Sequence, residues 1–194
     1  MSKLKDLITI IEACRLCADQ LPLGPRPVLR VSKTAKLMII GQAPGTKVHE
    51  SGVPWEDASG DRLRDWLGLT PDIFDDQTLV AIMPMGFCYP GRAANGGDNP
   101  PRPECAPEWH PKLLPLVSEV KLTLLVGGFA QKYYLGKAAQ KTMTETVRAW
   151  QEHLPRFLPI PHPSWRSTGW LRKNSWFEAE VIPDLRRRVR RLID

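Results

Sequence analysis

Leu37-Met38-Ile39-Ile40-Gly41-Gln42-Ala43-Pro44-Gly45 runs from an unbroken apolar stretch straight into a turn rich in glycine and proline. An apolar run this short, halted by a turn, describes a strand buried on both faces, which is the habit of parallel sheets. Residues 79–83 and 122–126 carry the same signature, and residues 157–160 a weaker one. Parallel strands need long, usually helical, crossovers. Helical patterns at about 61–67, 109–117, 130–135 and 142–150 supply them. The expected fold is therefore α/β, a three-layer α/β/α sandwich around a four-stranded parallel sheet. Ligands of such sheets lie beyond the carboxyl ends of the strands, so the loops after Ile40, Met83, Val126 and Ile160 are the candidate walls of a site.

The chain of 194 residues has the size of one ordinary domain, and residues 1–194 are expected to form a single one. Its hydrophobic fraction of 42% and charged fraction of 25% are those of a globular protein, and no apolar run is long enough to span a bilayer. Leu4, Leu7, Ile8 and Ile11 recur at helical spacing, but Asp6 and Glu12 interrupt them, unlike the core of a secretory signal. A first helix of a cytoplasmic, monomeric protein is the expectation. The formal charge of +6 favours polyanionic partners weakly, and the seven Trp residues serve as core filling or as platforms for flat ligands. Residues 175–193 read as an amphipathic helix, with Val181, Leu185, Val189 and Leu192 on one face. Its arginines, Arg186, Arg187, Arg188, Arg190 and Arg191, would be solvated or contact a phosphate backbone.

Cys14 and Cys17 form a Cys-x-x-Cys pair, and Cys88 and Cys105 bracket a loop over residues 89–107 dense in Gly, Pro, Asn and Asp. A loop of that length is usually functional or pinned. Cytoplasmic disulfides are rare, so two distant pairs brought together by folding could bind an iron-sulfur cluster or zinc. Spacing leaves both open, and four ligand-free buried thiols as well.

Beyond the first loop come Gly52-Val53-Pro54-Trp55 and Ser59-Gly60, and His162-Pro163-Ser164 follows the last strand. Taken with the cysteine pattern, these motifs resemble the uracil-DNA glycosylase superfamily, and are most like its iron-sulfur class. The resemblance spans residues 14 to 164 and implies a monofunctional base-excision glycosylase, a hydrolase acting on DNA that carries uracil or another damaged or deaminated base. It implies a 4Fe-4S cluster on Cys14, Cys17, Cys88 and Cys105, with zinc as second choice. Gly41, Ala43, Pro44, Gly45 and Met85 would border the extruded base, Trp55 would stack on it, and Gln42 and His162 would serve catalysis. Ser164 would contact the backbone of the kinked strand, and Trp165 and Arg166 would fill the gap left by the base.

The chain departs from that pattern twice. The iron-sulfur class has Glu where Gln42 stands, and acidic residues at Lys47, Val48 and His49; Glu50, Asp57 and His49 are then the substitutes nearest in sequence. An amide can position water but cannot take its proton. The Asn that reads uracil is also missing from the stretch of residues 83–88, so another base could be the substrate, read by backbone groups of Met85 and Gly86 or by residues 89–99. The alternative is a DNA-binding protein that keeps the cluster and the pocket without catalysis.

Overall fold

A computed structural model of the chain describes residues 3–94 and 96–193. Four strands, β1 (Leu37–Ile40), β2 (Val80–Ile82), β3 (Leu122–Val126) and β4 (Phe157–Ile160), form one all-parallel sheet in the order β2-β1-β3-β4. Each lies within one residue of the strand expected from sequence. Every residue of β1 and β3 is buried because both have strands on either side and helices on both faces.

The helices are α1 (Lys3–Glu12), α2 (Thr46–Ser51), α3 (Ala58–Leu67), α4 (Pro71–Asp75), α5 (Cys105–Leu113), α6 (Gly128–Leu135), α7 (Met143–Arg148), α8 (Thr168–Lys173) and α9 (Ile182–Ile193). Strand pleating sends alternate side chains to opposite layers. Leu37 and Ile39 meet Leu63, Trp66 and Leu67 of α3 and Leu185 and Val189 of α9. Met38 and Ile40 meet Ile11 of α1, Trp109 and Leu113 of α5 and Ala130 of α6. The result is the α/β/α sandwich.

Helix ends depart from the expectation where local chemistry outweighs apolar spacing. Helix α3 begins earlier because Asp57 caps it, accepting the Gly60 N–H at 2.9 Å. Cys105 opens α5 rather than lying in a loop; Pro107 is tolerated there because the first turn has no ladder N–H to lose. The short α2, α4 and α8 were not expected, being too short to show an apolar period. The stretch over residues 175–193 divides: a π-helical turn, Phe177–Val181, precedes α9, and Pro183 offers no N–H to continue an ordinary ladder there. Three of the α9 arginines are tied within the protein. Arg186 donates to the Asp65 carbonyl at 2.7 Å, and Arg187 and Arg188 bind the buried Asp184 carboxylate. Among the described residues no helix is long and apolar enough to cross a membrane.

The chain leaves β1 for the outer strand β2, then crosses back over β1 to β3 and β4. The reversal falls between β1 and β3, so their carboxyl ends open the crevice in which such sheets bind ligands. One wall of this region is held by a buried polar relay. His110 is completely buried, with Nδ1 2.6 Å from the Tyr134 hydroxyl and Nε2 3.0 Å from the Pro84 carbonyl. A carbonyl only accepts, so Nε2 carries the proton and Nδ1 accepts from tyrosine.

Burial pushes the His110 imidazole down to about 4, whereas the ordinary value is 6.5. The unfolded chain therefore takes up the proton first; this contribution to stability is complete above the ordinary value and is lost as pH falls toward the folded one. Between about pH 7.5 and about pH 5 the loss from this group comes to about 2 kcal/mol. Chemical denaturation over that range should show it, and His110→Gln should flatten that part of the slope. An unchanged slope in the variant would contradict a neutral buried ring.

Candidate active site

The Gly41–Gly45 loop leaves β1 and runs beside residues 85 and 86: Met85 N–H donates to the Gly41 carbonyl and Gly86 N–H to the Gln42 carbonyl, each at 2.9 Å. Gly41 has no room for a side chain, because a Cβ there would stand 2.9 Å from Trp55 Cζ2. The indole thus lies directly on the loop backbone. Trp55 itself has φ 61°, a left-handed conformation that bulky residues rarely adopt. Two contacts hold it there. The α3 cap through Asp57 fixes the following turn, and Gly60 comes so close that a Cβ would fall 1.8 Å from the Trp55 carbonyl oxygen.

Across the indole stands His162, with ring centroids 5.6 Å apart and planes 31° apart. Ser167 Oγ donates to the His162 carbonyl at 2.6 Å, and Arg62 donates to the Ser164 carbonyl at 2.9 Å, so the loop after β4 is fastened at both sides of the motif. Burial lowers the His162 pKa below the usual histidine value, against the pull of the nearby Asp57 charge. The imidazole is therefore neutral at neutral pH and has one N–H to donate.

Gln42, Trp55 and His162 all line one cavity of about 410 Å³ at the carboxyl edge of the sheet. Gly41, Ala43, Pro44 and Gly45 form its floor on one side, and Ser164, Trp165 and Arg166 stand on the other. Trp165 is 75% exposed, and its ring carries the Arg166 guanidinium 5.3 Å from its centre. An aromatic side chain left so open at a cavity mouth is available to insert between stacked bases.

One site expectation needs correction. Met85 does not line the cavity; it is buried in the core layer behind it, and the N–H groups of Met85 and Gly86 are already spent on the Gly41 and Gln42 carbonyls. Those donors cannot read a base. Of the substitute acids near the first loop, Asp57 lines the cavity, whereas Glu50 and His49 do not, and Arg26 binds the carbonyls of both. None of the α9 arginines lines it; the cations at the cavity are Arg92 and Arg166.

Sequence reasoning overlooked Arg92, Gly97 and Asp98, which reach the cavity from the Gly- and Pro-rich loop. The loop was singled out by its composition, but no spacing marks those residues within it. Its path is fixed by backbone pairing, with Asn99 N–H donating to Gly91 O at 2.8 Å and Ala93 N–H to Gly97 O at 2.7 Å. Gln42 joins the two loops by donating from Nε2 to the Asn99 carbonyl at 3.3 Å.

On the other side of residues 86–88, Cys14, Cys17, Cys88 and Cys105 border one small cavity of about 20 Å³. Phe87 N–H donates to Cys105 Sγ at 3.3 Å. Burial raises the Cys88 thiol to about 11 and the Cys105 thiol to about 12, with the other cysteines adding to the rise. Gathered thiols are the right donors for a soft metal centre, although among the described residues no three His, Cys, Asp or Glu side chains stand in a ready metal-holding group.

The family model of the uracil DNA glycosylase superfamily matches residues 30–186. That span carries the whole sheet, both loops that close on Trp55, and the Asp98 loop; Cys14 and Cys17 precede it. With its two motifs meeting at one cavity and most of its length matched, the chain belongs to the uracil DNA glycosylase superfamily.

Proposed function

We propose that the protein is a monofunctional DNA glycosylase that hydrolyses the bond between deoxyribose and a damaged or deaminated base turned out of the duplex. The observation that carries this reading is the convergence of Gln42, Trp55 and His162 on one cavity of about 410 Å³. That volume lies in the range of small-molecule sites, and an indole face beside a polar rim suits a flat heterocycle. Turning out a nucleotide costs a few kcal/mol, and the exposed Trp165 beside Arg166 is the side chain placed to offset it.

Cleavage builds positive charge on the sugar and negative charge on the departing base. His162, kept neutral by burial, donates to a base carbonyl as that oxygen gains charge, an interaction stronger in the transition state than in the ground state. Arg92 and Arg166 at the rim would neutralise phosphates, which makes binding weaken as salt rises. The uracil-reading Asn of the family pattern has no counterpart in residues 83–88, so the substrate is a base read from the Gly- and Pro-rich loop instead.

The same reading assigns the chain to the iron-sulfur class, with Cys14, Cys17, Cys88 and Cys105 holding a 4Fe-4S cluster. What supports it is four thiols on one cavity, two from the segment after α1 and two flanking the loop. Such a centre would cross-link the chain ahead of β1 to the segment that follows β2. Zinc would satisfy the same donors.

Purified protein should create abasic sites in duplex oligonucleotides carrying one altered base, tested across uracil, hypoxanthine, xanthine and oxidised bases. Salt-sensitive binding without product on every duplex would instead indicate a DNA-binding protein that keeps the pocket alone. His162→Ala should lower single-turnover base release by roughly 10²–10³-fold and leave affinity for the duplex nearly unchanged. Equal losses in both would contradict a role confined to the transition state. Anaerobically purified protein should be brown, and the colour should disappear in Cys88→Ser; colourless protein with stoichiometric zinc would reassign the metal.

A further inference from the structure

We propose that Asp98 is the carboxylate that accepts the proton of the attacking water, reaching from a different loop the place where the first loop offers only the amide of Gln42. This rests on the glycosylase reading above. Asp98 belongs to neither motif. It lies 56 residues beyond Gln42 in the Gly- and Pro-rich loop, as 98 − 42 gives, yet it lines the same cavity as Gln42, Trp55 and His162. Its Oδ2 is 3.6 Å from where a Cβ on Gly45 would stand, so the carboxylate lies against the end of the first loop. The Gln42 amide is bonded to the carbonyl of the very next residue, Asn99. The amide is thereby tied to the backbone of the loop that carries the carboxylate.

The other acids at hand are less free. Glu50 does not reach the cavity, and Asp57 spends Oδ1 on the Gly60 N–H that starts α3. Among the described residues, no hydrogen bond or ion pair engages the Asp98 carboxylate, although Arg92 and Arg166 stand near enough to lower its pKa. Desolvation by burial outweighs them and raises its pKa above the ordinary aspartate value, which strengthens the carboxylate as a base. Its backbone is positioned by the antiparallel bridge between Arg92 and Asp98.

In the step itself, the water oxygen bonds to the sugar C1′ as the C1′–N bond breaks, and that bond's electron pair leaves with the base. Asp98 takes the water proton, Gln42 Oε1 orients the water, and His162 donates to the departing base. The proton on Asp98 then passes to solvent, and the base anion is protonated in turn. Water is the only co-reactant, and no residue is oxidised or reduced. The negative charge of Asp98 also opposes the positive charge on the sugar.

The test uses the duplex oligonucleotide whose altered base the full-length protein releases, and a matched duplex with a tetrahydrofuran abasic analogue for affinity. Asp98→Asn should cut single-turnover release by about 10³-fold, remove the acid limb of the rate–pH profile and leave affinity for the analogue unchanged. Asp98→Glu should restore part of the rate. Asp57→Asn, whose amide still caps α3, should lose far less. An active wild type whose Asp98→Asn variant keeps its rate, or loses affinity in proportion, overturns the assignment of Asp98 and leaves the glycosylase reading standing. A larger loss in Asp57→Asn than in Asp98→Asn overturns it in favour of Asp57. A wild type that releases no base from any duplex overturns both. Should Asp98→Asn not fold, the acid limb in Asp98→Glu decides, a shifted limb supporting the role and an unmoved one refuting it.

Discussion

The Trp55 indole, held in a left-handed backbone conformation between Gly41 and His162, is the contact on which the site depends. A bulky residue at positive φ is strained by about 1–3 kcal/mol and persists only where its surroundings over-determine it. Here the α3 cap and the close approach of Gly60 do so. The result is an aromatic surface whose orientation is set by the backbone. Loosening that turn would free the indole from both the first loop and the histidine, and the cavity would lose the wall shared by its two halves.

Around that contact the sheet supplies rigidity and the loops supply chemistry. β1 and β3, buried throughout, present the Gly41 loop and Gly127 at the reversal of strand order, where His162 arrives from the edge strand β4. The third contributor is the loop between β2 and α5. It is braced by its own backbone bonds, by Gln42 and by the His110–Pro84 relay beneath it, and it ends near the cysteine cavity. Cys88 and Cys105 thus lie at the two ends of the segment that delivers Arg92 and Asp98 to the cavity.

The cavity carries charges of both signs. The cations Arg92 and Arg166 line it together with Asp57 and Asp98, and both cations lie close enough to Asp98 to act on its carboxylate. Burial lowers the His162 pKa, so its ring is uncharged at neutral pH and adds an N–H rather than another cation to the lining. On the basic face of α9, Arg186 ties the helix to Asp65 of α3, while Arg187 and Arg188 pair with Asp184 of the same helix.

The four strands, the layer order and the meeting of Gln42, Trp55 and His162 at one cavity were legible in the residues, because a strand buried on both faces must be continuously apolar and a tight loop must be built from Gly and Pro. Helix starts at Asp57 and Cys105 were not legible, since caps and first-turn prolines act over a few residues and leave apolar spacing blank. Met85 was read as a base contact from its place in the stretch where the family pattern has its Asn, and the bend after β2, pinned to the Gly41 carbonyl, buries it in the core instead. Asp98 could be recognised only in three dimensions. Its neighbours in sequence are loop residues without period or motif, and its nearness to Gly45 and Gln42 arises from chain crossings that no local pattern encodes. Sequence determines which segments are strands and which turns are tight; folding alone decides which distant side chains share a cavity.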